Sequence, residues 1–158
     1  MALEFDWLGI ADGSTNDSRG LLSLVGIGHN VIIAPTFPHQ AQRVLVAIIF
    51  DEQGTALSEG TAVNLDFRVT SPSGRTLSAN NQTVNIGPNT APIQLPPDLP
   101  SRGFQVVFGL GLQVTEYGVH TVRAAITVGE EELVRTRILH VIRPPEGLLS
   151  EAPVTARR

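Results

Sequence analysis

Four histidines (His29, His39, His120 and His140) and a run of three glutamates (Glu130 to Glu132) carry most of the reactive chemistry of this 158-residue chain. Histidine beside carboxylate can hold a divalent metal or relay a proton. His120 and His140 fall in two successive alternating stretches on either side of the glutamate turn, so pairing across that turn would make them neighbours. A centre built on them would need a third ligand, from a carboxylate or from His29. The competing reading is a histidine at a strand end, partly buried and hydrogen-bonded. The second reading is preferred, because no two histidines have helical i, i+4 spacing and no HExxH occurs. No metal site is expected.

Other motifs fail on their details. "DGSTNDSRG" (12–20) has oxygen-bearing side chains at alternate positions, as a calcium loop does, but Asp17 stands where the loop glycine belongs and Ser23 where the bidentate glutamate belongs. It reads as a polar loop joining two strands. "GIGHN" (26–30) has no third glycine and no following helix, so it cannot cradle a phosphate. No G-x-S-x-G elbow is present. The chain has no cysteine, which removes thiolate nucleophiles, disulfides and zinc–thiolate sites. All 11 basic residues are arginines, so lysine Schiff-base and Walker chemistry are absent too. The chain is therefore read as non-catalytic, with no catalytic residue and no cofactor.

The elements that must position these residues have a period of two. "TAVNLDFRVT" (61–70) places Val63, Leu65, Phe67 and Val69 on one face, and "VHTVRAAITV" (119–128) does the same with Val122, Ala124, Ile126 and Val128. "RVLVAIIF" (43–50) is apolar on both parities and reads as a central strand. "LEFDWLGI" (3–10) is expected to present Leu3, Phe5 and Trp7 together. "LLSLVGIGHNVII" (21–33) is one strand or two, bent at Gly26 and Gly28. "FQVVFGLGL" (104–112) is a further strand, and the polar "RTLSANNQTVNI" (75–86) suits a sheet edge. Turn residues punctuate these runs and no helical period intervenes. The expectation is a single all-β, immunoglobulin-like antiparallel sandwich of about eight strands over residues 1–143, with an extended tail over 144–158.

"FDWLGIADG", "VLVAIIFDEQG" and "VNLDFRVTSPSGRTL" resemble segments of a family of small bacterial β-sandwich proteins of unknown function. "YGVHTVRAAITVGEEELVRTRILHV" is similar to the closing hairpin of many immunoglobulin-like domains, with His120 where an aromatic is usual and Gly118 directly after Tyr117. The resemblance implies a sandwich over about residues 3–143 and no particular activity.

Composition narrows the partners. A net charge of −4 with scattered arginines argues against nucleic acid. No stretch reaches the ~18 apolar residues of a membrane span. Glu4 and Asp6 spoil any signal-peptide reading of the start, so the chain reads as cytoplasmic. The expected partner is another protein or a second copy. In "LVRTRILHVI" (133–142) both parities are apolar and one carries the arginines. Either a bulge switches faces, or the strand is an edge whose outer side meets a partner through Arg135, Arg137 and His140. The glutamates are expected to be solvated at the turn and to pair with Arg135 or Arg137. A proline-rich arm pinned by Ile93 and Leu95, and a tail anchored by Leu148 and Leu149, are the other candidate contacts. A small-ligand or glycan site using Trp7 and Tyr117 is the alternative.

Overall fold

The computed structural model describes residues 3–18, 22–28, 30–52, 54–87 and 102–147, with the side chain of residue 102 excepted. Ten strands occur among these residues: β1 (Leu3–Ala11), β2 (Gly13–Asn16), β3 (Leu22–Val25), β4 (Val31–Ile33), β5 (His39–Asp51), β6 (Ala62–Thr70), β7 (Thr76–Asn85), β8 (Arg102–Val114), β9 (Gly118–Val128) and β10 (Glu131–Ile142). They form a three-stranded sheet β1-β5-β8, a five-stranded sheet β4-β10-β9-β6-β7 and the hairpin β2-β3. The chain is an all-β sandwich. The described residues alone hold ten strands, against the about eight expected. The glycine bend divides 21–33 into β3 and β4, with φ 67° at Gly26 and 80° at Gly28. "GSTN", read as loop, forms β2 against β3. The ladder is not wholly antiparallel either, because β4 runs parallel to the end of β10.

The alternating positions supply the core. Val63, Leu65, Phe67 and Val69 of β6 and Val122, Ala124 and Ile126 of β9 are buried against Leu8, Ile10, Leu45, Ile49, Leu110 and Leu112 of the other sheet. Phe67 meets Phe108 across the interior at 5.3 Å between ring centroids. Central β5 buries Val46 completely on its second parity, while Val44, Ile48 and Phe50 keep partial exposure. β7 lies at a sheet edge, as its polar sequence requires. The closing hairpin turns through Gly129 and Glu130, with Gly129 at φ 60°; two-residue hairpins favour glycine at that first central place.

One expectation about β1 fails. Its register with β5 steps between Phe5 and Trp7, leaving Asp6 unopposed. A bulge of this kind moves every later side chain to the opposite face. Leu8 and Ile10 therefore join Leu3 and Phe5 in the core, and Trp7 is turned out.

Next to the hairpin, Glu116 accepts a hydrogen bond from the Ser73 hydroxyl at 2.5 Å, and Ser73 Oγ lies 3.0 Å from Ser71 Oγ. The Ser71 hydroxyl first, and then that of Ser73, hold the Glu116 carboxyl below its ordinary value. A depressed folded value means the charged form is the stabilising one. Its contribution is complete above the unfolded carboxylate value of about 4.3 and is lost as pH falls through the lower folded value. The difference in urea midpoint between the native chain and Glu116→Gln is expected to shrink as the solution is acidified through that window. A difference independent of pH would refute the assignment.

Candidate functional site

The site lies where the two sheets open, between β1 and β10. The pairing of β10 with β9 is unbroken from Glu131 to Val141, so no bulge switches its faces. Residues directly opposite share a face. Arg137 stands opposite core Val122 and Arg135 opposite core Ala124. Both arginines thus point to the inner side, towards β1. Arg135 lays its guanidinium over the Phe5 ring at 5.5 Å, and Arg137 donates Nε–H to the Leu8 carbonyl at 2.7 Å. His140 stands opposite exposed Val119 and belongs to the outer face with Val134, Thr136 and Ile138. The arginines and His140 therefore do not form one surface.

The same register separates the histidines. His120 lies opposite buried Leu139 and is itself fully buried, with Nδ1 3.3 Å from the Gly118 carbonyl. His140 points the other way. Among the described residues no cluster of three histidines or carboxylates could hold a metal ion. The glutamates do not meet the arginines expected of them: Glu132 pairs with Arg123 at 3.4 Å, and Arg123 also reaches Asp66 at 3.2 Å. Tyr117 is committed to structure. Its hydroxyl donates to the Ala34 carbonyl at 3.0 Å, its ring packs on Phe37, and Arg143 covers it. Ile93, Leu95, Leu148 and Leu149 lie outside the described residues.

A groove of about 510 Å³ runs along the mouth between the sheets. Trp7, Leu8, Gly9 and Ile10 form one wall, Thr136, Arg137 and Ile138 the other, and Ile27, Gly28 and Asn30 close its end. Trp7 is half-exposed there because the Asp6 bulge turned it out. A Cβ on Gly9 would collide with the indole, so the ring lies flat on the glycine backbone. The end wall is fixed by backbone bonds: Gly28 N–H to the Ile10 carbonyl at 3.2 Å, Asp12 N–H to the Val25 carbonyl at 2.9 Å, and His140 N–H to the Asn30 carbonyl at 2.7 Å. Arg43 adds a bond to the Val31 carbonyl at 3.1 Å and an ionic contact to Asp12 at 3.4 Å.

The two rims differ in what they leave open. On β1, the Leu8 carbonyl is taken by Arg137 and the Ile10 carbonyl by Gly28. On β10, His140 and Ile142 direct their backbone groups towards β4 and its flanks, with the Ala34 N–H bonded to the Ile142 carbonyl at 3.0 Å. Backbone direction alternates with period two. The N–H and C=O of Val134, Thr136 and Ile138 therefore point to that same side, where β4 does not extend and no strand of the described residues pairs with them. Val134 and Ile138 are 47% and 50% exposed beside them. The sequence offered β10 as either a bulged strand or an edge and gave no sign of the groove. The signal for Trp7 was the apolar run "LGIA" that follows it, which cannot alternate in step with Leu3 and Phe5.

Among the described residues these features define a β-sandwich with an open strand edge beside an amphipathic groove. Comparisons with solved structures find three weak likenesses. The C-terminal domain of Wzt is 14% identical, covering 91% of this chain and 75% of that one, with a TM-score of 0.47. The CARDB domain of a Pyrococcus furiosus protein, determined in complex with di-metal ions, is 14% identical over 89% of this chain and 97% of that one, with a TM-score of 0.42. The putative ApaA protein of Bordetella pertussis is 14% identical over the same shares, with a TM-score of 0.39. No family model and no curated protein matches the sequence.

Proposed function

We propose that this protein is a non-catalytic interaction module that binds an extended segment of a protein partner by adding it as a strand to β10. The observation that supports this is the row of backbone groups at Val134, Thr136 and Ile138 on the rim of the groove, which no strand of the described residues pairs. Strand addition takes its affinity from main-chain hydrogen bonds and its selectivity from the side chains alongside. Here those side chains are apolar Trp7, Ile27 and Ile138 and one cation, Arg137. Among the described residues Arg137 spends only Nε, on the Leu8 carbonyl, so its other nitrogens can meet a carboxylate of the incoming strand.

A heptapeptide of alternating valine and glutamate, titrated into dilute protein, tests the reading. Trp7 is the single tryptophan, so its emission reports groove occupancy directly. A saturable change in emission is expected, together with slowed hydrogen exchange over β10. Both should vanish in Val134→Pro, which removes an edge-facing N–H without touching the β9 ladder. Gly9→Ala should shift the emission of the free protein by unseating the indole, and should weaken binding. An unchanged emission and unprotected β10 amides would overturn the reading. Trp7 half-exposed beside Arg137 also favours a second reading, a small-ligand or glycan site. An acidic oligosaccharide that shifts Trp7 emission where the peptide does not would decide for it.

A further inference from the structure

We infer that the strand taken up by β10 is β10 of a second copy of this chain, antiparallel and centred on Val134; this inference rests on the strand-addition reading above. Charge order along the strand carries it. "EELVRTR" (131–137) is acidic at its start and basic at its end, so it complements itself when reversed.

Because edge-facing groups must meet edge-facing groups, the paired positions must sum to an even number, and few registers remain. Centred on Val134, Glu131 stands opposite Arg137 of the second copy twice over, Leu133 opposite Arg135, Glu132 opposite Thr136, and Val134 opposite itself. Centred on Arg135, that arginine faces its own copy. Centred on Thr136, Arg135 faces Arg137, and Glu132 would need the place of His140, whose N–H is already bonded to Asn30. Like charges directly opposite are destabilising and unlike charges stabilising. A register centred on Leu133 also joins Glu131 to an arginine, but it pairs only residues 131–135. The Val134 register pairs the whole stretch from Glu131 to Arg137.

The surroundings fit. Glu131 has no ion-pair partner among the described residues, whereas Glu132 is held by Arg123. Arg137 lines the groove, and no described residue bonds its terminal nitrogens. No lysine or proline guards the stretch, although natural edges commonly use both against such pairing. By contrast β7 exposes a polar edge, "TLSANNQTVN", and the β1 rim is occupied from Leu8 to Asp12. On the outer face, Val134 meeting Val134 of the second copy would adjoin exposed Ile138, Val119 and Val31.

Sedimentation velocity of the full chain tests the inference. A dimer is expected at tens of micromolar. Glu131→Arg alone and Arg137→Glu alone should each weaken it roughly tenfold, since each creates two like-charge pairs. The double variant Glu131→Arg/Arg137→Glu should restore it, because it exchanges the signs within each pair. Val134→Pro should give monomer with unchanged circular dichroism. A native chain that stays monomeric at hundreds of micromolar overturns the inference, as does a dimer indifferent to Val134→Pro or a double variant no stronger than the singles. Strand addition is judged separately: a monomer that still binds the valine–glutamate heptapeptide through β10 loses self-pairing only, and one that does not bind loses both.

Discussion

Asp51→Ala is expected to cost about 3–5 kcal/mol of stability, the largest loss from any single polar substitution proposed here, with the cost read from urea unfolding. Asp51 ends β5 and is fully buried. Its Oδ1 accepts the Gly54 N–H at 2.9 Å, and its Oδ2 accepts the N–H groups of Ala56 at 2.8 Å and Leu57 at 2.9 Å. One carboxylate thus satisfies three donors of the turn that leads from β5 to β6. Alanine would leave those donors without the acceptor, and each buried orphan costs about 1–3 kcal/mol. The loss extends to packing, because Leu57 is 2% exposed and belongs to the core cluster. Asp51→Asn keeps the shape but offers a single acceptor oxygen, so an intermediate loss is expected. Equal stability of Asp51→Ala and the native chain would show that the turn holds without its carboxylate.

How much of this was legible in the sequence depends on range. Local alternation located β6, β9 and the inward set Val122 to Val128, because a period of two is written residue by residue. The "DEQG" turn was legible as well. That its aspartate folds back on three later N–H groups was not, since this depends on the path to Leu57. The place of Trp7 depends on a single bulged residue, Asp6, which inverts every later face, and only the apolar run "LGIA" after it marks the change. The mixed parity of "LVRTRILHVI" correctly raised the choice between a bulge and an edge. Deciding it needed the unbroken register with β9. The arginines then fell on the inner side, because at a sandwich mouth an inward-facing position need not be dry. There a long side chain can lay its stem along the core and carry its head to the opposite rim. The groove joins residues 7–10, Ile27, Gly28, Asn30 and residues 136–138. No spacing within one segment could announce it.

Phe67→Ala is expected to cost about 3–5 kcal/mol, by lost transfer free energy and by the cavity left between the sheets. Phe67 is 2% exposed at the middle of β6 and stacks on Phe108 of the opposite sheet. Its neighbours across the ladder are Asn80 of β7 and Ala124 of β9, so no adjoining large side chain of its own sheet can swing in to fill the space. The choice of this residue also bears on the proposed edge. β9 lies between β6 and β10, so Phe67 does not touch the groove. Urea unfolding should therefore show a lower midpoint. While the protein remains folded, the association of β10 should match that of the native chain. Val134→Pro should give the opposite pattern, with association lost and the midpoint changed far less. If Phe67→Ala abolished association while folded, the open edge would depend on the state of the core, and strand addition to a preformed β10 would be the wrong description.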